Sequence, residues 1–248
     1  MRKIIIGDVH GCLDELKALI NQLELNSGDS LFFIGDLIDK GPDSVGVVKY
    51  VFELSKIYPV VLILGNHEEK FLRYMQHKID NPKAIESMKI PPDFEILAKN
   101  LKEDEVNFLK QSYYTFNIKE QNILLLHGGI TGNCMLDLST NFQYHTHTSK
   151  QFKGLDLITK TRHLDISGKF VSLGQENEHT QFWAETYDGK HGKVIFGHDT
   201  FMQSMPKYFP NAIGIDTGCV FGQHLMALII SNNKIEYISI PAKNKYCN

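Results

Sequence analysis

Cysteine is scarce in this 248-residue chain: Cys12, Cys134, Cys219 and Cys247 lie far apart and form no CxxC pair, which argues against a zinc ribbon and against a disulfide framework. They read as reduced thiols, the state expected in the cytoplasm. Long apolar runs are missing as well. No stretch approaches the ~18 apolar residues of a membrane span. The start, Met1-Arg2-Lys3 followed by three isoleucines, is too short for the apolar core of a signal peptide. A cytoplasmic protein with no membrane partner is expected. Arginine occurs only as Arg2, Arg73 and Arg162, tryptophan only as Trp183, and the formal net charge is −3. A chain with no basic excess is poorly suited to duplex nucleic acid as an obligate partner. Internal repeats and low-complexity segments are also lacking.

What is present is enough apolar material, 42% of residues, for one sizeable core. Residues 3–6 form a short apolar run ending at Gly7-Asp8, and Leu13, Leu16, Leu19, Ile20 and Leu23 then follow at helical spacing. The same order recurs at 30–34, where Gly35-Asp36 precedes a Pro42-Asp43-Ser44 helix start, and at 60–64, where Gly65-Asn66 precedes a helix from about Glu68. Three strand–helix units imply parallel strands whose polar residues gather at one edge of the sheet. Farther on, 114–118 and 122–126 read as a hairpin. Residues 193–196, 212–215, 224–230 and 235–240 read as strands, the last two joined by an Asn232-Asn233 turn. The expected fold is α/β: two packed sheets with helices outside, in a single domain over 1–248. Segments 78–112 and 130–192 fit this sandwich poorly, and both are candidates for a lid or substrate platform.

Five of the strand ends carry one kind of cargo: Gly7-Asp8-Val9-His10, Gly35-Asp36, Gly65-Asn66-His67-Glu68, His127-Gly128-Gly129 and Gly197-His198. Each joins a glycine, which permits a tight exit from a strand, to a side chain able to bind metal. Asp, His and Asn donors suit Mn, Fe or Zn better than calcium. One such dipeptide alone is equally well a turn with a satisfied polar cap. Five in order, each directly after an apolar run, weigh heavily against that reading.

The series GDVHG, GDLIDKGPDS, GNHE, HGG and GH resembles the phosphoprotein phosphatase superfamily of dimetal phosphoesterases, in order and spacing as well as composition. The resemblance implies a calcineurin-like sandwich of two mixed β-sheets flanked by helices. It implies that Asp8 and His10 bind one metal, that Asp36 bridges both, and that Asn66, His127 and His198 bind the second. His67 is then the catalytic acid and Asp39 the carboxylate that orients it. The chemistry accounts for these residue types. Two divalent ions ~3.5–4 Å apart can share a hydroxide and clamp phosphate oxygens during in-line attack. A carboxylate can bridge them, whereas a lone imidazole nitrogen cannot. A histidine free of the metals can give the departing oxygen its proton.

One departure is clear. Where the phosphoprotein phosphatases commonly have Asp-Arg-Gly, this chain has Asp39-Lys40-Gly41. Lysine offers a point charge in place of a planar fork, so Lys40 is expected to contact substrate phosphate with Arg162 as a second contact. Lys-Gly-Pro-Asp-Ser, Gly197-His198-Asp199 and the run from Gly214 to Gly222 are similar to ApaH-like phosphatases and PrpE-type enzymes. That likeness implies hydrolysis of a dinucleoside polyphosphate, polyphosphate or another phosphoanhydride, with phosphoprotein Ser/Thr hydrolysis as the alternative. A turnover-deficient phosphate-binding module and a phosphodiesterase are further options. The implied cofactor is a pair of divalent ions, Mn foremost, with Fe, Zn, Co, Ni or Mg as alternatives. Lys150, Lys153, Lys160, Arg162, His163 and Lys169 form either a polyphosphate contact or a solvated basic loop; Trp183 reads as a packing residue, and Cys12 and Cys219 as small core residues.

Overall fold

The computed structural model describes residues 1–147, 151–232 and 234–247. Lys150 of the basic group and Asn233 of the expected turn lie outside the described residues. β1 (Lys3–Ile6), β2 (Ser30–Phe33) and β3 (Val60–Leu62) alternate with α1 (Leu13–Leu23), α2 (Ser44–Ser55) and α3 (Asn66–Asp80). Asp43 starts α2 by accepting the Gly46 amide at 2.7 Å, the N-cap role its place after Pro42 predicts. Three more helices follow, α4 (Pro82–Ile85), α5 (Pro92–Asn100) and α6 (Glu103–Lys110). Phe94 and Leu97 of α5 and Leu109 of α6 are buried with the main core, so the 78–112 segment contributes to packing.

The chain continues through β4 (Thr115–Ile118), β5 (Ile123–Leu126), α7 (Leu155–Ile158), β6 (His163–Leu164), β7 (Phe170–Val171), β8 (Gln181–Phe182) and α8 (Trp183–Thr186). It ends with β9 (Lys193–Phe196), β10 (Lys207–Tyr208), β11 (Ala212–Gly214), β12 (His224–Ser231) and β13 (Lys234–Pro241). One mixed sheet has the order β13-β12-β1-β2-β3 and a second the order β10-β11-β9-β5-β4. A third, small sheet, β7-β6-β8, lies within 130–192, where the sequence shows no strand period. Strands of two residues are too short to display one.

Alternation along the strands builds the sandwich. Ile5, Phe32, Met226 and Leu228 of the first sheet pack with Leu125, Ile195 and Ile213 of the second, forming the layer between them. Their neighbours Ile4, Ile6, Leu31, Phe33, Leu124, Leu126 and Ala227 join the core that includes the helices. Both faces of β1 and β2 are therefore covered, which is why these strands read as continuous apolar runs. Trp183, 1% exposed, is a packing residue and is out of reach of a substrate base. No helix among the described residues is long and apolar enough to cross a membrane. β1 runs parallel to β2, β2 to β3, and β5 to β9, and all five motifs leave the carboxyl ends of these strands.

Candidate metal centre

The backbone at these strand ends is unusual. His10 (φ 45°), Asp36 (φ 51°), Asp39 (φ 70°), Lys40 (φ 70°) and His198 (φ 67°) all take the left-handed conformation that side chains other than glycine seldom adopt. Such strain persists only where surrounding contacts enforce it, and it collects at functional sites. The enforcing contacts are visible. The Val9 and His10 amides donate to the Asp36 carbonyl at 3.1 and 2.8 Å, locking the first two motifs together. Buried Glu68 accepts the Asp36 and Gly65 amides on Oε2, at 2.8 and 3.1 Å, and the Leu37 and Ile38 amides on Oε1, at 2.8 and 3.2 Å.

Asp36 stands at the centre. Its Oδ2 lies 3.4 Å from His10 Nε2, 3.3 Å from His127 Nε2 and 3.8 Å from His67 Nε2. Two groups of potential ligands share it, His10–Asp36–His67 and Asp36–His127–His198, with ligand atoms in each group within 4.8 Å of one another. Asn66 Oδ1 is 3.2 Å from His127 Nε2. Asp8 Oδ2 accepts the His198 amide at 3.0 Å. All six expected ligands thus converge from strand ends of both sheets, with His67 at their edge, its Nδ1 donating to Asp39 Oδ2 at 2.8 Å.

The donor set fits cations. Nδ1 of His127 donates to the Ile34 carbonyl at 2.9 Å, so its Nε2 lone pair points among Asp36 Oδ2 and Asn66 Oδ1. Electron-rich atoms crowded together in this way call for a positive ion between them. Nδ1 of His10 likewise donates to the Ile38 carbonyl, at 3.0 Å, which leaves Nε2 as the inward acceptor. Asp8 Oδ1 and His198 Nε2 are buried with no hydrogen-bond partner. Charge tells the same story: burial, with Asp216 and Asp36 nearby, pushes the Asp8 carboxyl well above its ordinary range, and burial pushes His10 down to about 3. Glycine makes the close approach possible, because a Cβ at Gly197 would lie 2.0 Å from Asp8 Oδ1 and one at Gly65 2.2 Å from Asp36 Oδ1.

Residues 1–236 match the family model of the calcineurin-like phosphoesterases. The chain belongs to that family. A phosphoesterase of this family is a hydrolase of phosphoester or phosphoanhydride bonds that depends on two metal ions. The chain is 30% identical over 262 residues to the asymmetrical bis(5'-nucleosyl)-tetraphosphatase PrpE of Oceanobacillus iheyensis, covering 99% of this chain and 94% of that one. It is 26% identical to the symmetrical bis(5'-nucleosyl)-tetraphosphatase of Legionella pneumophila, covering 92% of this chain and 94% of the relative. A crystal structure of a protein provisionally assigned as a diadenosine tetraphosphatase superposes with a TM-score of 0.72 at 27% identity, over 98% of this chain and 94% of that one.

In this phosphoesterase the two expected phosphate contacts are placed differently. Nζ of Lys40 donates to His10 Nε2 at 2.9 Å and lies 5.5 Å from the centre of the Phe221 ring. It therefore points at the position a cation would face. Arg162 reaches the His198 loop, Nη2 donating to the His198 carbonyl at 2.9 Å and Nε to Asp199 at 3.2 Å. Glu68 is the residue that sequence reasoning left without a role. Its signal was its place three residues into α3, where a glutamate reaches back to the helix start. Asp216 caps its loop, accepting Thr200 Oγ1 at 2.7 Å and the Gly218 amide at 3.0 Å, and its buried charge also acts on Asp8.

Proposed function

We propose that the chain hydrolyses a bis(5'-nucleosyl) tetraphosphate, with Asp8, His10, Asp36, Asn66, His127 and His198 holding two divalent ions, Mn foremost. The observation that carries the site assignment is the crowding of buried potential ligand atoms around Asp36 Oδ2. Support for the substrate comes from the relatives named as tetraphosphatases. When bound, the ions would supply Lewis acidity to the phosphate and a nucleophile from water at neutral pH. The protein's own part is to fix the ligands, position the phosphate chain and deliver one proton.

His67 delivers that proton. Asp39 accepts from Nδ1 and so fixes the tautomer, leaving Nε2 turned toward the centre. Burial alone would lower the pKa of His67, but the Asp36 and Asp39 carboxylates outweigh it and hold the value above the ordinary one. With ions bound, Asp36 would share its charge with them, leaving Asp39 as the partner of His67 whose influence persists. The protonated ring is then available for the departing phosphate oxygen near neutral pH. Arg162, anchored through two of its N–H groups, retains others for a phosphate oxygen, and Lys40 adds a charge beside His10. A cytoplasmic location belongs to the same reading, in line with the scarcity and wide spacing of cysteine.

The test is a comparison, with added Mn, of rates on diadenosine tetraphosphate, inorganic polyphosphate and a phosphoserine peptide. Diadenosine tetraphosphate is expected to be fastest, yielding ATP and AMP as the PrpE-named relatives' asymmetrical label suggests. A faster phosphopeptide would overturn the reading in favour of a phosphoprotein phosphatase.

A further inference from the structure

Next to the metal centre lies an open groove of about 460 Å³ to which the expected ligands contribute nothing. That volume falls within the ~300–1,000 Å³ typical of small-molecule sites. Its lining divides by chemistry. Phe221, Met202 and Leu173 supply apolar surface, Arg162 and Lys245 supply positive charge, and Asp199, ion-paired to Arg162 at 3.2 Å, lies beside them with His163 and Thr200. Leu173 is 76% exposed and Met202 51% exposed, so both are open to an occupant of the groove. Met202 also takes φ 47°, a left-handed conformation for a residue with a long side chain. Strain spent on presenting a flexible thioether to solvent is a functional pointer.

The groove is joined to the centre at both walls. Arg162 is tied to the His198 carbonyl, and Thr200 to Asp216, which acts electrostatically on Asp8. Lys40 links His10 to the Phe221 ring that lines the groove. An occupant that extends out of the centre along Arg162 therefore meets both cations and an aromatic face within one groove. A phosphate chain ending in a planar heteroaromatic group has this combination of charge and apolar surface. An inorganic polyphosphate fits the cations but leaves the apolar wall unused.

We infer that this groove is a nucleoside subsite, in which a base packs on Phe221 and Met202 while Arg162 and Lys245 hold the phosphates leading to the centre. The inference rests on the tetraphosphatase reading and deepens it. Leu173 forms the outer edge, and its exposure ends when the base is seated.

The experiment uses AMP and inorganic phosphate as competing inhibitors of p-nitrophenyl phosphate hydrolysis by the Mn-loaded protein, so that it works whatever the natural substrate is. AMP is expected to bind at least 10-fold more tightly than phosphate. Phe221→Ala should cut that AMP-over-phosphate ratio by roughly 5- to 150-fold, the range that base–aromatic stacking covers on truncation. Met202→Ala and Leu173→Ala, at exposed positions that leave the core intact, should each lower the same ratio by a smaller factor. Equal affinity for AMP and phosphate in the wild type would overturn the subsite, as would a ratio that all three variants leave unchanged. If AMP selectivity behaves as expected but diadenosine tetraphosphate is not hydrolysed, the substrate reading falls while the nucleoside subsite stands.

Discussion

Replacing Glu68 by glutamine keeps the shape of the side chain but turns one acceptor oxygen into a donor. In the folded protein each carboxylate oxygen takes two backbone N–H groups, from Asp36 and Gly65 on one side and from Leu37 and Ile38 on the other. In Glu68→Gln two of the four donors face an NH₂ group and lose their acceptor. The site is 1% exposed, so water cannot replace it. A buried donor left unsatisfied costs about 1–3 kcal/mol, giving a loss of roughly 2–6 kcal/mol for the pair. One effect acts in the opposite direction. Burial and the neighbouring Asp36 charge raise the Glu68 carboxyl to about 7, so a neutral side chain relieves repulsion. The net expectation is about 2–4 kcal/mol, a large share of the ~5–15 kcal/mol by which a domain is stable. Urea unfolding in the presence of chelator measures this without the stability that bound metal adds. Because the same bonds hold the Asp36 loop in its left-handed turn, metal content measured by elemental analysis should fall as well. A loss below about 0.5 kcal/mol with two metals retained would refute the reasoning, since the exposed-surface range is no larger.

Three further outcomes are expected. His67→Asn should retain its metals but turn over ~10²–10⁴-fold more slowly on a poor leaving group; an unchanged rate would remove His67 as the proton donor. Asp36→Asn should lower the occupancy of both ions, and elemental analysis showing two full sites would dismiss the bridging role. Asp29→Asn probes pH dependence. The Arg2 guanidinium, bonded to Asp29 through Nε at 3.1 Å and Nη2 at 2.5 Å, holds that carboxyl below its ordinary range. Its contribution is thus present above the unfolded pKa of about 3.9 and is lost as pH falls through the lower folded value. Because Arg2 is partly exposed, the wild-type advantage should be about 1 kcal/mol or less at pH 6 and should shrink toward pH 3. A difference in urea midpoint that stays flat with pH would refute the assignment.

The sequence by itself determined the sandwich and the order of its motifs, because those features are local. Short apolar runs at β1 and β2, helical spacing in α1 and a Pro-Asp-Ser start for α2 each act within a few residues. Glycine directly before Asp8, Asp36, Asn66 and His198 marked the strand exits for the same reason. Tertiary structure decided the rest. Nothing in residue type dictates that Asp36, Asp39 and His198 take positive φ; distant partners impose it, Glu68 reaching back across 32 residues to Asp36. The strands of β6, β7 and β8 carry only two residues each and pair through folding rather than through any legible period. Lys40 was legible as a charge near phosphate, but its turn toward His10 and Phe221 depends on a loop conformation that only the assembled motifs enforce. The Phe221–Met202–Leu173 groove is the furthest from legibility, since its walls come from segments far apart in the chain that become neighbours only beside the finished centre.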